Sequence, residues 1–156
     1  MPRSGPELAL LLLGGFRSLV DAAMTELAAR GFPDHRPGHN FAMRAIVSGA
    51  DNASELGRRL AMSKQAAAKT IAVLVARGYV TTEPDPGDAR RVRVVATDLG
   101  EELIRQGEEV FELLRDEWAA RIGAEQLEVL ETHLDLLVGD HRVQRDAAGW
   151  AAESLD

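Results

Sequence analysis

Apolar residues at positions 8, 12, 16, 19, 23 and 27 recur at three- and four-residue steps, which predicts one long helix near the start of the chain. Ser4-Gly5-Pro6-Glu7 opens it as a capping box with proline in the first turn, and Gly31 ends it. Gly14 and Gly15 fall mid-helix, where each costs about 1 kcal/mol relative to alanine. They mark either a close approach by another backbone or a mild kink. The breaker-rich stretch Phe32-Pro33-Asp34-His35-Arg36-Pro37-Gly38 reads as a linker, and a short helix around His39–Ser48 follows it.

The next fifty residues change pattern twice. Asn52 with Glu55 three residues on reads as a capping box for a short helix through Leu60. Met62 fills a turn, and Ser63 caps a second helix that runs to Arg77 and stops at Gly78. Two β-prone runs, Tyr79–Glu83 and Val92–Thr97, flank the Pro/Gly/Asp-rich segment 84–91, which predicts a hairpin with a long loop. Helix, tight turn, helix and β-wing in this order form a device for reading DNA.

Beyond the wing, Thr97 caps a long acidic helix with an apolar stripe of Leu99, Leu103, Val110, Leu114 and Trp118, ending near Gly123. A last helix, Ala124–Val138, places Leu127, Leu130, Leu134 and Leu137 in a coiled-coil-like seam. In the tail 140–156, Val143, Ala147 and Trp150 are compatible with a docked helix or a frayed end. The fold expected is mostly α with a small β-wing. It is a winged helix-turn-helix (residues 39–97) between an N-terminal dimerisation helix and linker (1–38) and C-terminal dimerisation helices with a tail (98–156), one structural domain overall. Both terminal regions carry more apolar surface than a small winged head can cover. They are therefore expected to pack together and against a second copy, setting two recognition helices for half-sites about one turn of DNA apart.

The motif also resembles a known family. Met62-Ser63-Lys64-Gln65-Ala66, then Leu74, Arg77-Gly78-Tyr79-Val80, Asp85-Pro86, Asp88-x-Arg90 and Val94-x-x-Thr97-x-x-Gly100 are similar to the MarR (multiple antibiotic resistance) regulators over about a third of the chain. The resemblance implies a dimeric winged-helix regulator in which Arg90 enters the DNA minor groove and Asp88 braces it. Ala89 stands where the family often has a second arginine, while Arg91 and Arg93 supply cations nearby. It also implies a small amphipathic or aromatic effector held between the reading head and the dimerisation helices. Phe16, Met24, Phe41, Met43 and Phe111 are the candidate lining, with plain core packing as the alternative for each.

Charge sharpens this reading. The chain has a net charge of −7, yet residues 40–97 hold nine Lys/Arg against five acids, while the remainder holds nine against twenty. A basic head on an acidic body turns the head toward phosphates. The exposed early face of the recognition helix should be Ser63, Lys64, Gln65, Ala68 and Lys69, with Ala67, Ile71 and Leu74 inward. Gln65 suits bidentate pairing with adenine, Lys64 or Lys69 suits guanine or phosphate, and Ser63 with the first-turn amides suits a phosphate. Arginines at a mobile hairpin tip suit a narrow minor groove. The second half of this helix, Thr70–Ala76, is apolar on nearly all sides. Val73 and Val75 are expected to pack under another element; the alternative is a winged-helix protein-interaction module without DNA reading.

Other chemistries find little footing. The chain has no cysteine, so disulfides and thiolate metal sites are absent. His35 and His39 are separated by Pro37-Gly38 and are not expected to share a helical face, and Gly139 interrupts His133 and His141. No metal or cofactor is expected. Neither a phosphate-cradling glycine loop nor a nucleophile elbow occurs, and the acids 101, 102, 108, 109, 112, 116 and 117 read as a solvated face, so no enzyme is expected. The run Leu8–Gly15 imitates a signal peptide, but Glu7, Arg17 and Asp21 bracket it and it is too short to span a bilayer. A cytoplasmic protein that does not enter membranes is expected, with double-stranded DNA and itself as partners.

Overall fold

In the computed structural model, which describes residues 4–139, Ser4 caps helix α1 (Gly5–Ala29) in a reciprocal box: its backbone N–H donates to Glu7 Oε2 at 2.7 Å, and its Oγ accepts from the Glu7 amide. The first half of α1 is exposed, including Leu8 and Leu10–Leu13, while Val20, Ala23 and Leu27 are buried in the second half. By length and composition α1 could cross a membrane, a property hidden when only the run 8–15 is considered. Its second half instead supplies the core. The helix passes unbroken through Gly14 and Gly15. A Cβ at Gly15 would meet the Trp118 ring at 3.5 Å, and one at Gly14 would meet nothing within 4 Å.

Helix α2 (Pro37–Val47) starts two residues earlier than expected, because Pro37 is pre-set for a first turn. Helices α3 (Ala53–Arg59) and α4 (Lys64–Ala76) follow, with caps from Asn52 and Ser63 that accept the Glu55 and Ala66 amides at 3.0 Å each. The Asn52 box is not closed from the other side. Glu55 spends its carboxylate on Arg58 and Arg59 instead, at 2.7 and 2.8 Å. The hydrogen bonds from Arg58 and then Arg59 hold its pKa down at about 2. Ala61 takes the left-handed conformation, φ +53°, in the turn between the helices.

Strands β1 (Val80–Asp85) and β2 (Asp88–Ala96) form one antiparallel hairpin. The expected long loop is replaced by longer strands around Pro86-Gly87. Asp85 Oδ1 accepts the Gly87 amide at 2.8 Å, closing the turn locally, and Pro84 does not prevent pairing on this two-stranded ribbon. The register runs from Val80↔Ala96 to Pro84↔Val92 and then slips to Asp85↔Asp88. That slip leaves residues 89–91 without Cα partners on β1.

Thr97 starts helix α5 (Asp98–Ile122): its Oγ1 accepts the Gly100 amide at 3.2 Å and donates to the Gly78 carbonyl at 2.6 Å. Leu103, Val110 and Leu114 are buried as the stripe predicts. Leu99 is not; it is 47 % exposed, and Gly100 takes the inward position. A Cβ at Gly100 would overlap the Tyr79 carbonyl oxygen and lie 2.6 Å from Met43 Cε, so only glycine lets α5 start this close to β1. Helix α6 (Ala124–Val138) buries Leu127 and leaves Leu130 and Leu137 exposed. The tail positions Val143, Ala147 and Trp150, and His141, lie outside the described residues.

Candidate nucleic-acid interface

The reading head is assembled by three close fits. Leu56, Leu60, Ala67, Ile71 and Leu74 interlock α3 with α4 in the core. Gly57 permits that contact: a Cβ there would stand 2.8 Å from the Met62 carbonyl oxygen, and backbone cannot yield as a side chain would. Arg59 reaches from α3 to donate to the Ser48 carbonyl at 2.9 Å, closing the end of α2. The wing is pinned at its base, where the Asp51 carbonyl accepts the Val94 amide at 2.7 Å. Gly57 and Arg59 were not singled out from the sequence. A glycine inside a seven-residue helix, six positions before the next N-cap, was the available signal.

Against this frame, Ala67, Ile71 and Leu74 face the core, while Ser63, Lys64, Gln65, Ala68 and Lys69 are exposed along the first turns of α4. Ser63 Oγ is committed as an acceptor to the Ala66 amide. The Lys64 and Gln65 amides have no carbonyl behind them in the helix, so the positive end of α4 faces outward. Further along, Val73 is half-buried but Val75 is 41 % exposed, against the packing expected for it. The reason is positional: it follows Leu74 by one residue, about 100° around the helix from the buried row.

At the wing the four candidate residues separate. Asp88 meets Arg90 at the backbone and not at the guanidinium: its Oδ1 accepts the Arg90 amide at 3.0 Å. The side chains of Arg90 and Arg91 are exposed and, among the described residues, neither guanidinium makes an ion pair or hydrogen bond. Arg93 differs. It faces Glu83 across the ladder and its Nε donates to Glu83 Oε1 at 2.8 Å.

A cleft of about 840 Å³ opens among α1, α2 and α5. Phe16, Phe41 and Phe111 line it together with Asn40 and the ion pair Arg44–Glu108, whose N···O distance is 3.2 Å. Met43 is elsewhere, fully buried under Gly100, and Met24 packs half-buried against the core without lining the cleft. The acids of α5 are a solvated face tied down in places: Glu109 pairs with Arg30, the C-cap of α1, at 3.3 Å, and Arg115 with Glu131 of α6 at 2.7 Å.

His35 and His39 share no helical face, as expected, since His35 precedes α2, yet their rings come together. Because α2 starts at Pro37, the linker folds back and the two rings lie 5.9 Å apart between centroids. Among the described residues no cluster of three or more metal-binding side chains occurs.

A wing and helix-turn-helix flanked by long terminal helices define a winged-helix architecture. Residues 42–91 match the family model of the MarR family, so the resemblance seen in the sequence holds over the reading head. The fold agrees over most of the chain. Wild-type MarR from E. coli is similar with a TM-score of 0.65 at 20 % identity, over 89 % of this chain and 100 % of that one. FabT of Streptococcus pneumoniae, solved in complex with DNA, has a TM-score of 0.70 at 16 % identity, over 86 % and 94 %. A mutant of S. aureus MepR bound to an oligodeoxyribonucleotide has 0.60 at 14 %, over 86 % and 98 %. No curated protein matches the sequence.

Proposed function

We propose that this chain is a sequence-specific, double-stranded DNA-binding transcriptional regulator that works as a homodimer in the cytoplasm. The observation that carries the reading is the division of labour on the head. The inward residues of α4 are apolar, its outward first turns offer Lys64, Gln65 and Lys69, and the wing holds Arg90 and Arg91 exposed and unpaired. Folding has no use for those cations, whereas a polyanion does. Repression is the simplest mode, by occupying a promoter. A small aromatic or amphipathic molecule seated by Phe16, Phe41 and Phe111 would release it by biasing the distance between two heads. No catalytic step belongs to this reading. The DNA-bound relatives support it by analogy of fold.

Selection from a random duplex pool tests the proposal. An inverted repeat with half-sites about one helical turn apart is expected. Gln65→Ala should relax one base position per half-site at a cost of about 1–3 kcal/mol, whereas Lys69→Ala should weaken all sequences alike if it meets phosphate. A pool that returns no motif leaves the exposed Val75 face of α4 to a protein partner instead.

A further inference from the structure

The linker and the C-terminal end of α4 meet at a cluster that DNA reading does not require. Arg77, the C-cap of α4, donates from Nη1 to the Asp34 carbonyl oxygen and to His39 Nδ1, the latter at 3.2 Å. The same His39 nitrogen faces the Arg36 amide at 3.4 Å, as acceptor. Beside this clamp, His35 is only 7 % exposed, and neither of its ring nitrogens has a hydrogen-bond partner. Its ring stands edge-on to Tyr79, with centroids 6.5 Å apart, and Tyr79 in turn touches Phe32. The titratable and charged groups around it are Asp34 and Arg36 on the linker, His39 on α2, Arg77 on α4 and Tyr79 at the foot of the wing.

A neutral imidazole fits this seat, with one N–H and one lone pair unpaired but no charge to desolvate. A protonated one does not, because it would be a buried cation facing the Arg77 guanidinium with no acceptor for its N–H groups. We propose that His35 is the trigger of an acid-sensitive latch, in which the neutral ring lets Arg77 hold the linker to the recognition helix and the protonated ring releases it. The latch joins the linker that follows α1, and the start of α2, to the helix that would read bases. Its regulatory meaning therefore rests on the proposed DNA reading, although its existence does not.

The direction follows from linkage. Burial first, then the charges of His39 and Arg77, push the His35 pKa from 6.5 down to about 4. The open form therefore gains protons that the closed form refuses. The closed state is fully favoured above pH 6.5 and loses ground as pH falls toward 4. Between pH 7.5 and pH 5 the latch equilibrium should move toward open by about 30-fold.

Amide hydrogen exchange at Gly78 and Tyr79 reads the latch without DNA, since these groups bond to the Val75 and Leu74 carbonyls at the end of α4. After correction for intrinsic rates, the open fraction should rise about 30-fold from pH 7.5 to pH 5 in the natural chain. It should stay within about twofold in His35→Phe, which keeps a ring and removes the proton site. A rise that persists in His35→Phe, or no rise in the natural chain, overturns the proposal. Ring NMR titration of the natural chain provides the check if the variant does not fold: a His35 midpoint far below 6.5 supports the latch, and an ordinary midpoint overturns it. Gel shifts at both pH values separate the two readings. Loss of DNA affinity at pH 5 alongside opened exchange supports both, whereas opened exchange in a chain that never binds DNA refutes only the DNA reading.

Discussion

Arg93 and Glu83 face each other across the wing, and their ion pair separates Arg93 from the unpaired Arg90 and Arg91. An arginine held by a carboxylate must give it up before meeting a phosphate or a base edge. Arg90 and Arg91 have nothing to give up. They sit where the register slip frees the backbone from the ladder, three residues on β2 without Cα partners on β1. Reach and free charge are therefore concentrated at 90 and 91, with the Arg93–Glu83 pair beneath them.

Arg90→Ala should leave the thermal midpoint nearly unchanged, since exposed substitutions stay within about 0.5 kcal/mol. It should weaken operator binding by about 1–3 kcal/mol, most where A/T-rich flanks narrow the minor groove. Arg93→Ala should cost the fold at most about 1 kcal/mol, because half-exposed ion pairs are weak, and should affect binding less than Arg90→Ala. Calorimetry beside gel shifts on A/T- and G/C-flanked sites checks both. Equal losses from the two variants would refute the division of roles.

Gly57→Ala should destabilise the head by about 1–3 kcal/mol, because the added methyl meets the Met62 carbonyl at 2.8 Å and α3 must move off α4. Urea unfolding measures it. A midpoint equal to that of the natural chain would mean that the turn yields without cost.

How far the sequence reached depends on the kind of interaction. The caps at Ser4, Ser63 and Thr97 are local: one hydroxyl and an amide three residues on. Periodicity likewise placed Leu103, Val110 and Leu114 inward. What it missed is long-range. Backbone pairing extended the wing strands through segments with weak β-propensity, and the inward turn of Gly100 displaced Leu99 from the stripe. His35 meets His39 because the linker folds back, which no helical spacing encodes. At the candidate interface, the exposed row on α4 was legible because burial follows the helical period. The Glu83–Arg93 pairing was not, because it depends on the strand register.

The exposed leucines of α1 and α6 are the surface that the proposed homodimer would cover. Leu8 and Leu10–Leu13 are 45–67 % exposed and Leu137 is 80 % exposed. Covering the exposed part of each recovers roughly 1 kcal/mol. Leu12→Glu combined with Leu137→Glu should convert a dimer into a monomer at micromolar concentration by light scattering. A mass that stays dimeric after both substitutions would place the interface elsewhere.

The proposed head binds duplex DNA through several phosphates. Titrating a palindromic promoter fragment with increasing salt measures this most directly. Each phosphate contact should contribute about 0.9 to the negative slope of log affinity against log salt, so several contacts give a steep line. A flat response, with affinity indifferent to salt, would contradict DNA reading by this head.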